Sequence, residues 1–485
     1  MTTYNKPRKF DRNLVVIGAG SAGLVCSYIA AALKAGVSLI EQNKMGGDCL
    51  NSGCVPSKAL IRSARFLAQT KHAAALGFRR VEVDYSFSDV MDRVRRVIDA
   101  VAPHDSVQRY TALGVDCIQG AARITSPYTV EVNGRTITTR NIIIAAGARP
   151  FVPPLPGMEL TQVLTSDNVW SLRELPKKLV VLGGGPIGSE LAQCFARFGA
   201  KVTQVEMMPR LLPREDSEVS ELIKKQFEAE GVKVLPNHKA REIIRENGKQ
   251  LLVCESNGGE IRVEFDRLLA AIGRKANVAD YGLEELGIET TKQGTIKVND
   301  YLQTNYSNIY ACGDVAGPYQ FTHTASHQAW YATVNALFSP LKKFKVDYSV
   351  IPWATFTDPE VARVGLNETE AAEKYLPYET SYYGIDDLDR AIADEEARGF
   401  IKVLTVPGKD KILGATIVGS HAGELITEYI SAMRRKTGLN KILGTIHIYP
   451  TWSEANKYAA GVWKRAHAPQ TLLRLVERFH AFRRR

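Results

Sequence analysis

The sequence predicts an α/β fold, because one supersecondary pattern occurs twice, about 165 residues apart. The first copy is LVVIGAGSAGLVCSYIAAALKAGVSLIE, from Leu14 to Glu41. The second copy is LVVLGGGPIGSELAQCFARFGAKVTQVE, from Leu179 to Glu206. Each copy has an apolar strand, a glycine turn, a helical stretch and a second apolar strand that ends in an acid. This pattern predicts two Rossmann-like dinucleotide-binding domains.

The first glycine turn follows the pattern G-x-G-x-x-G with Gly18, Gly20 and Gly23. The first glycine permits the tight turn, the second lets the backbone approach a pyrophosphate, and the third lets the helix pack on the strand. The helix N-terminus adds a site for an anion. Glu41, 18 residues after Gly23, is placed to accept hydrogen bonds from a ribose.

The second glycine turn repeats this pattern with Gly183, Gly185 and Gly188, and Glu206 again follows 18 residues later. One such motif alone has an ordinary tight turn as an equally good interpretation, whereas two copies in register favour two nucleotide sites. A carboxylate at Glu206 repels the 2'-phosphate of NADP, so we expect NADH to be favoured over NADPH. Arg210 nearby moderates that preference.

Changes in composition divide the chain into segments. The proline-rich stretch PFVPPLPG, from Pro150 to Gly157, is typical of a linker, and the pattern changes again after about Asn277. We predict a first nucleotide-binding domain that is interrupted by the second, then a separate domain and a basic tail. The predicted limits are 1–150 and 277–346 for the first domain, 151–276 for the second, 347–465 for the third and 466–485 for the tail.

Size and charge exclude several classes of protein. The chain has 485 residues, and we find no uninterrupted apolar run of about 18 residues and no secretory signal, so we expect a cytoplasmic protein. The net charge of +10 lies mainly at the ends, with +3 in residues 1–12 and +6 in residues 464–485, which leaves about +1 for the body. A nucleic-acid partner is therefore not expected.

Two of the seven cysteines form a close pair in GGDCLNSGCVPSK. Cys49 and Cys54 are five residues apart, which on a regular helix is about 7.5 Å of rise. That exceeds the roughly 4.4–6.8 Å between the Cα atoms of a disulfide. We therefore expect a distorted segment, for which Gly53 and Pro56 are suited. Lys58, one helical turn past Cys54, favours a thiolate there.

This motif, CxNxGCxPSK, resembles the class I pyridine nucleotide-disulfide oxidoreductases, such as dihydrolipoyl dehydrogenase, glutathione reductase and mercuric reductase. The resemblance covers roughly residues 10–465. It implies a homodimer with a C-terminal α+β dimerisation domain, in which NADH reduces FAD and the flavin reduces the disulfide. It also implies that Cys54 faces the flavin as the charge-transfer thiolate and that Cys49 exchanges with substrate.

The resemblance assigns further residues to cofactor binding. It places Lys58 in an ion pair with Glu190 near the nicotinamide, and Gly273 of AAIGRKAN beside the nicotinamide nucleotide. It assigns Ala146 and Gly147 of IIIAAGARP to a turn of the flavin domain, and Asp314 of ACGDVAG to a contact with the ribityl chain. It also assigns Lys58 to a contact with FAD. We predict no resident metal.

The chain departs from the family near its C-terminus, where disulfide-reducing members carry HxHPTxxE and this chain reads HIYPTWSE. Tyr449 replaces the histidine that acts as acid and base, while Glu454 is kept. The reference pKa values of about 10 and 6.5 make the phenol roughly 5 kcal/mol poorer as a proton acceptor. Mercuric reductases are similar in having tyrosine here, but their C-terminal cysteine pair is absent, since the last cysteine is Cys312. We expect His447 to be a supporting or surface residue, with a substitute base as the alternative.

Three functions fit these observations. The first is electron transfer from NADH through FAD and the cysteine pair to a thiophilic small molecule or metal ion, as in mercuric reductase. The second is dihydrolipoyl dehydrogenase, and the third is a redox-sensing flavoprotein that binds a membrane or a protein partner. Pro186 stands where relatives often have a tyrosine over the flavin, so we expect an open nicotinamide pocket.

The tail TLLRLVERFHAFRRR has apolar residues at helical spacing and arginines on the other faces. The apolar positions are Leu472, Leu475, Val476 and Phe479. The favoured interpretation is a terminal helix packed on the dimer with a solvated basic end. The alternative is attachment to an acidic partner or to an anionic surface at the inner face of a membrane.

Overall fold

The computed structural model describes residues 4–484, which form two compact units. The first unit runs to Ala68 and takes in Glu82–Met208 and Glu230–Asp347. The second unit holds Gln69–Val81, Pro209–Ala229 and the chain from Tyr348 onward. The domain limits predicted from the sequence follow motifs and changes in composition, whereas these two units follow compactness. The predicted limits therefore stay a prediction.

The helices of the described residues are distributed along the whole chain. The helices are α1 (Ser21–Ala32), α2 (Gly47–Asn51), α3 (Cys54–Lys71), α4 (Phe87–Val101), α5 (Val107–Ala112), α6 (Pro186–Arg197), α7 (Ser217–Ala229), α8 (Leu283–Leu286), α9 (Thr322–Phe338), α10 (Glu368–Glu373), α11 (Asp389–Ala393), α12 (Ala422–Arg434), α13 (Leu439–Leu443), α14 (Glu454–Ala466) and α15 (Gln470–Arg483). Among the helices described here, none is both long enough and apolar enough to cross a bilayer.

The strands build separate sheets in the two units. They are β1 (Arg12–Ile17), β2 (Val37–Glu41), β3 (Asp116–Gln119), β4 (Arg123–Ser126), β5 (Thr129–Val132), β6 (Arg135–Ile144), β7 (Ala148–Pro150), β8 (Val163–Leu164), β9 (Lys178–Leu182), β10 (Lys201–Val205), β11 (Lys233–Leu235), β12 (Lys239–Glu246), β13 (Lys249–Ser256), β14 (Gly259–Phe265), β15 (Arg267–Ala270), β16 (Arg274–Ala276), β17 (Ile309–Ala311), β18 (Pro352–Thr355), β19 (Glu360–Gly365), β20 (Glu379–Gly384), β21 (Phe400–Thr405) and β22 (Ile412–Gly419).

The first sheet has the strand order β3–β2–β1–β6–β5–β4, and β17 also pairs with β6. Its central strands are parallel, with Leu14 of β1 in register with Val37 and Asn141. Leu14 and Val16 pack on one face of this sheet, against α1 and α9, while Val15 and Ile17 pack on the other. Burial on both faces explains why β1 is a continuous apolar run in the sequence.

The second sheet of the first unit is parallel, with the order β11–β10–β9–β15–β8. The two glycine turns follow β1 and β9, after Ile17 and Leu182, at the carboxyl ends of parallel strands. Ligands of open α/β sheets bind at such ends. The prediction of an α/β fold with two Rossmann-like regions is confirmed.

The second unit contains an antiparallel sheet with the order β18–β19–β22–β21–β20. Helices α12 and α14 cover it, and Tyr429 and Trp463 of these helices join a buried cluster with Val364, Ile401 and Ile417 of the strands. Helices packed on an antiparallel sheet are the α+β arrangement expected for the C-terminal part.

A buried lysine connects three segments of the second unit. The Lys402 ammonium, only 3% exposed, donates to Asp216 and Glu368 at 2.7 Å and also to Glu218. The three carboxylates converge as metal ligands would, but the ammonium supplies the positive charge among them. Hydrogen bonds to these carboxylates outweigh burial and raise the pKa of Lys402. The lysine therefore holds α7 and α10 to β21.

Candidate functional site

The first glycine turn, between β1 and α1, has space only for glycine at two positions. Gly18 has a φ of +101°, and a Cβ atom on it would lie 2.4 Å from the carbonyl oxygen of Ala145. A Cβ atom on Gly23 would lie 1.7 Å from the carbonyl oxygen of Gly18. Gly20 caps α1, whose first turn carries no acidic side chain. The free N–H groups of this helix end are therefore available to a phosphate.

Glu41, at the end of β2, fastens this turn to the next strand. One carboxylate oxygen accepts the N–H of Ala19 at 2.6 Å, and the other accepts the N–H of Asn43 at 2.7 Å. A carboxylate has about four acceptor positions, so it can also accept hydroxyl groups. The geometry is compatible with the predicted ribose contact.

The second glycine turn, between β9 and α6, has nearly the same local constraints. Gly183 has a φ of +108°, and its Cβ would lie 2.4 Å from the carbonyl oxygen of Ala271. A Cβ on Gly188 would lie 2.2 Å from the carbonyl oxygen of Gly183. A Cβ on Gly185 would have no atom within 4 Å, so this turn is uncovered at its second glycine.

Glu206 repeats the arrangement of the first acid. Its carboxylate accepts the N–H of Gly184 at 2.5 Å and the N–H of Met208 at 2.6 Å. The side chains of Met207 and Met208, which follow it, are exposed. Pro186 is the first residue of α6. The second turn thus presents an acid and two apolar side chains where a nucleotide ribose is predicted.

The two cysteines lie on either side of a break between helices. Cys49 is within α2, which ends at Asn51, and Cys54 is the first residue of α3. At the break, a Cβ on Gly53 would lie 2.9 Å from the carbonyl oxygen of Asp48. The distortion is located where the cysteine spacing predicts it, and it brings the two sulfur atoms into interaction.

The segment that leads into α2 packs directly on the first glycine turn. Gly47 has a φ of +54°, and a Cβ atom on it would lie 2.6 Å from the Cα atom of Gly20. The N–H of Gly46 donates to the carbonyl oxygen of Ala19 at 2.9 Å. The cysteine motif and the predicted pyrophosphate turn are therefore one packed structure.

The two thiols differ in acidity. A hydrogen bond with Cys49 lowers the pKa of Cys54 to about 6, and the hydroxyl of Thr322 and the Lys58 cation act in the same direction against the loss of hydration. The same hydrogen bond, together with burial, raises the pKa of Cys49. At neutral pH the pair therefore holds one thiolate, on Cys54, and one thiol, on Cys49.

Thr322 is a site residue that sequence analysis missed. It is the first residue of α9, and its hydroxyl oxygen lies 3.3 Å from the Cys54 sulfur. The starts of two long helices, α3 and α9, thus meet at this sulfur, and the positive end of a helix favours a thiolate. The signal in the sequence was its place eight residues after Asp314, in the segment that returns to the first domain.

Lys58 and Glu190 form the ion pair that the family resemblance implies. Lys58 Nζ on α3 lies 2.9 Å from a carboxylate oxygen of Glu190 on α6. The Glu190 side chain is 8% exposed, and the Lys58 ammonium places a positive charge beside it. The pair joins the helix of the cysteines to the helix of the second glycine turn.

Asp314 lies beside an arginine that sequence analysis also missed. The Arg274 guanidinium contacts the Asp48 carboxylate, donates to the carbonyl oxygen of Ala148 at 2.7 Å, and lies 3.5 Å from Asp314. Burial raises the pKa of the Asp314 carboxyl more than this cation lowers it. Arg274 therefore connects the residue before Cys49 with the predicted ribityl contact.

The two predicted cofactor glycines outside the fingerprints lie at one pair of strands. Gly147 precedes β7 and Gly273 precedes β16, and these strands pair antiparallel. Both glycines have positive φ, +67° and +136°. The side chain of Asn277 donates to the carbonyl oxygen of Ala146 at 2.9 Å, and its backbone N–H donates to Gly147 at 3.0 Å. The structure thus places Ala146 and Gly147 together beside Asn277, whereas Gly273 lies at the opposite end of this strand pair, where its carbonyl oxygen accepts the N–H of Phe151 at 3.0 Å.

Trp170 contacts the loop between the cysteines. Its indole N–H lies 2.9 Å from the carbonyl oxygen of Ser52 and 2.6 Å from that of Ser166. The tryptophan follows β8 of the second sheet. It therefore links the second sheet to the cysteine loop, and nothing in the sequence motif pointed to it.

The C-terminal candidates lie in the second unit. Tyr449 is 64% exposed, and its hydroxyl donates to Asp389 at 3.0 Å. This hydrogen bond raises the pKa of the phenol. Glu454 is buried at the start of α14 and accepts the N–H of Thr451 at 3.3 Å. Tyr449 is hydrogen-bonded to Asp389 rather than to the glutamate of its own motif.

His447 is occupied by another acid. One ring nitrogen lies 3.1 Å from the Glu428 carboxylate and the other lies 3.0 Å from the carbonyl oxygen of Thr445. The side chain is 5% exposed. These contacts suit the supporting role that the sequence predicts, since both nitrogen atoms are engaged within the loop.

Comparison with known proteins adds two family matches. Residues 12–329 match the pyridine nucleotide-disulphide oxidoreductase family. Residues 351–460 match the dimerisation domain of the pyridine nucleotide-disulphide oxidoreductases. Together these two matches cover most of the chain.

Individual relatives include two kinds of enzyme. The mercuric reductase of Staphylococcus aureus is 33% identical over 454 residues, 93% of this chain and 82% of that protein. The dihydrolipoyl dehydrogenase of Chlamydia pneumoniae is 35% identical over 452 residues, 92% of this chain and 95% of that protein. The Cu(II) complex of the HOCl-induced flavoprotein disulfide reductase RclA from Escherichia coli has a TM-score of 0.83 and 27% identity, covering 94% of this chain and 100% of that one.

Proposed function

Because the chain belongs to the pyridine nucleotide-disulphide oxidoreductase family, we propose that it passes electrons from NADH through FAD to the Cys49 and Cys54 pair and on to a thiophilic acceptor. Enzymes of this family are flavoproteins that use FAD and NAD(P)H. The proposed role is that of a mercuric reductase-like enzyme. The observation that carries this choice of acceptor is Tyr449, an exposed phenol in place of a histidine base.

The residues around the first glycine turn fit FAD. The turn offers helix N–H groups to a pyrophosphate, Glu41 keeps acceptor positions for a ribose, and the partly buried Asp314 can accept a hydroxyl of a polyol chain. When bound, FAD supplies a two-electron carrier between the coenzyme and the disulfide. The proposed FAD contacts are Gly18, Gly20, Gly23, Glu41, Lys58, Ala146, Gly147 and Asp314.

The second glycine turn fits NADH. Glu206 places a negative charge, and Met207 and Met208 place apolar groups, where a 2'-phosphate of NADPH would need a cation. The proposed contacts with NADH are Gly183, Gly185, Gly188, Glu206 and Gly273. The proposed location of the protein is the cytoplasm, as expected from the sequence.

The acidity of the two sulfurs suits a disulfide that is reduced and then reoxidised. NADH, a proton and the disulfide give NAD⁺ and two thiols, one of which ionises as the Cys54 thiolate. A divalent ion such as Hg(II) then takes two electrons from the pair, which returns to the disulfide and releases its remaining protons. Lys58 and Thr322 stabilise the thiolate between these steps.

A tyrosine at position 449 favours a metal ion over a disulfide as the electron acceptor. Thiol–disulfide exchange needs a group that takes and returns a proton at neutral pH, and the hydrogen bond to Asp389 keeps this phenol protonated. A thiophilic metal ion displaces thiol protons by itself. The names of the Staphylococcus aureus mercuric reductase and of the Cu(II) complex of RclA support this class of acceptor.

The proposed assembly is a homodimer, which the match to the dimerisation domain supports. Around Tyr449, Ile446 is 95% exposed and Ile448 is 77% exposed in the single chain. Neighbouring large apolar side chains that are this exposed suit a subunit interface. We therefore place the loop of Tyr449 at the dimer interface.

Dihydrolipoyl dehydrogenase is the second candidate, because relatives with that name are about equally similar and Glu454 is kept. The protonated phenol at Tyr449 makes lipoamide a poor substrate in this proposal. A redox sensor is the third candidate. It would be reduced once by NADH and would not cycle.

The test is steady-state NADH oxidation by the FAD-loaded protein with Hg(II), lipoamide or glutathione disulfide. We expect turnover with Hg(II), weak turnover with lipoamide, and a rise of about tenfold with lipoamide in Tyr449→His. Tyr449→Phe serves as the matched control without a proton donor. Strong lipoamide turnover by the natural protein that is lost in Tyr449→Phe would overturn the proposed acceptor, and reduction without turnover would favour the sensor.

A further inference from the structure

The C-terminal helix α15 has no buried residue among the part of it that the structure describes. Its large apolar side chains are between 39% and 75% exposed, and they are Leu472, Leu473, Leu475, Val476, Phe479 and Phe482. Soluble chains rarely leave so many neighbouring apolar groups exposed, so this surface is expected to be an interaction site.

The apolar residues of α15 form one stripe. With 3.6 residues per turn, Leu472, Leu475, Val476, Phe479 and Phe482 fall within an arc of roughly 120°. The same geometry places Leu473 beside this stripe.

The basic residues of α15 lie partly beside the stripe and partly within it. On the same helical geometry, Arg478 and Arg474 lie roughly 40° and 80° beyond one edge and Arg484 lies roughly 80° beyond the other. Arg483 falls within the stripe, and its guanidinium lies 5.8 Å from the ring of Phe479. Glu477 is the sole acid of the helix sequence. Arg485 lies outside the described residues. A helix with an apolar stripe and several arginines matches helices that lie in a membrane interface.

We propose that α15 is a surface anchor that places the enzyme on membranes rich in anionic lipid. The apolar stripe enters the boundary between headgroups and acyl chains, and the arginines of the helix extend toward the headgroups and bind lipid phosphates. This proposal goes beyond the electron-transfer function and does not depend on it.

Charge favours a lipid surface over a second copy of the chain. Pairing the stripes of two copies would bring the arginines of both helices together, with one glutamate in each helix to offset them. A membrane offers both an apolar interior and a dense layer of negative charge. Residues 464–485 hold +6 of the net charge of +10, which concentrates this attraction in the tail.

The test is cosedimentation of the full-length, FAD-loaded protein with vesicles. One set of vesicles is pure phosphatidylcholine, and the other is an equal mixture of phosphatidylcholine and phosphatidylglycerol. We expect about tenfold more bound protein on the mixed vesicles, with a loss of most of this difference at high salt. Equal binding to both sets, or binding to neither, would overturn the proposal.

Two variants separate the apolar and the charged contributions. Leu475→Glu with Phe479→Glu removes the stripe, and Arg474→Glu with Arg478→Glu reverses one flank; each is expected to abolish vesicle binding while FAD content stays unchanged. The matched control is Arg95→Glu with Arg96→Glu on the exposed face of α4, which makes the same change in net charge. Equal loss of binding in this control would overturn the proposal, because general charge would then explain it.

The oligomeric state completes the test. We expect the particle mass of Leu475→Glu with Phe479→Glu, measured by light scattering after size-exclusion chromatography, to equal that of the natural protein. A fall to half that mass would show that a second copy covers the stripe, and the membrane proposal would be wrong.

Discussion

The two glycine turns have the same local geometry but different surroundings. In both, the first glycine lies against a carbonyl oxygen, the third lies against the first, and an acid accepts two backbone N–H groups. The difference is at the second glycine. A Cβ atom on Gly20 would lie 3.8 Å from the Cα atom of Gly47, and a Cβ atom on Gly47 would lie 2.6 Å from the Cα atom of Gly20, whereas a Cβ atom on Gly185 in the second turn would have no neighbour within 4 Å. One turn is covered by the cysteine motif and the other is open.

This difference suits a resident cofactor in the first turn and an exchangeable one in the second. In the proposed assignment, FAD would lie beside the cysteine motif, and contact with that motif would favour its retention through many cycles. A coenzyme at an open turn can arrive and depart in each cycle. Five predictions test the contrast, in order of decreasing effect.

The largest effect is expected for Gly47→Val. The new side chain would meet the backbone of Gly20 and would also adopt an unfavourable positive φ, so α2 and the first turn must separate. We expect a loss of bound FAD of about tenfold or more, measured by flavin absorbance per polypeptide after gel filtration. The control is Gly114→Val, which has a positive φ of +94° but no atom within 4 Å. Full FAD content in Gly47→Val would show that close packing of the cysteine motif on the first glycine turn is not required for FAD binding.

A smaller effect that leaves FAD in place is expected for Gly185→Ala. The methyl group meets no protein atom, and φ at this position is −75°, so the fold tolerates it. It occupies space where the coenzyme pyrophosphate is predicted, so we expect the KM for NADH to rise about tenfold. If FAD is lost together with NADH affinity, the two turns are not independent.

The acids of the two turns, Glu41 and Glu206, are expected to differ in their effect on the choice between NADH and NADPH. Glu206→Gln removes the charge that we propose repels a 2'-phosphate, so we expect the ratio of kcat/KM for NADPH to that for NADH to rise about tenfold. Glu41→Gln is the matched substitution in the first turn and should leave this ratio unchanged. A ratio that moves with Glu41 rather than Glu206 would reverse the assignment of the two sites.

The pH dependence of the reactivity of Cys54 tests the cysteine motif, which covers the first glycine turn. Because its pKa is lowered to about 6, the thiolate is present above that pH and is lost as pH falls through it. Thr322→Val removes one hydrogen bond to the sulfur, so the pKa should rise and alkylation of the reduced protein near pH 6 should slow about threefold. Ser326→Ala, one turn later on α9, is the control. An alkylation rate that does not change with pH between 5 and 7 would contradict the assignment of the thiolate.

The smallest effect is expected for Trp170→Phe, which removes the hydrogen bond from the second sheet to Ser52. Loss of one such bond costs about 1 kcal/mol. We expect the reduction potential of the cysteine pair to shift while FAD content and the KM for NADH stay the same. Trp330→Phe, on an exposed surface of α9, provides the comparison. An unchanged reduction potential would show that the hydrogen bond between Trp170 and Ser52 does not influence the cysteine pair.

The sequence predicted the parts of the fold that repeat or alternate. The apolar strands β1 and β9, the glycine turns and the break between Cys49 and Cys54 follow from local pattern and covalent reach. Thr322, Arg274 and Trp170 were missed because each reaches the cysteine motif from a distant part of the chain. Such contacts are set by tertiary packing, and a single sequence carries no periodic signal for them.

The placement of α7 could not be predicted either. This helix follows the second nucleotide repeat in the chain, yet Asp216 and Glu218, just before and within it, bind Lys402 of the second unit. Electrostatic pairing between residues 186 apart is not visible in composition or spacing. The family resemblance pointed to the Lys58 and Glu190 pair because both residues belong to recognisable motifs.

The buried ammonium at Lys402 has a consequence for dissecting this protein. A fragment that began at residue 348 would keep Glu368 but would lack Asp216 and Glu218, leaving a cation in the interior with most of its counter-charge gone. Breaking a buried ion pair in this way costs about 3–5 kcal/mol, a large share of the stability of a small domain. Recombination between homologues therefore has to carry the segment 209–229 along with the C-terminal sheet, however convenient a cut at the family boundary looks.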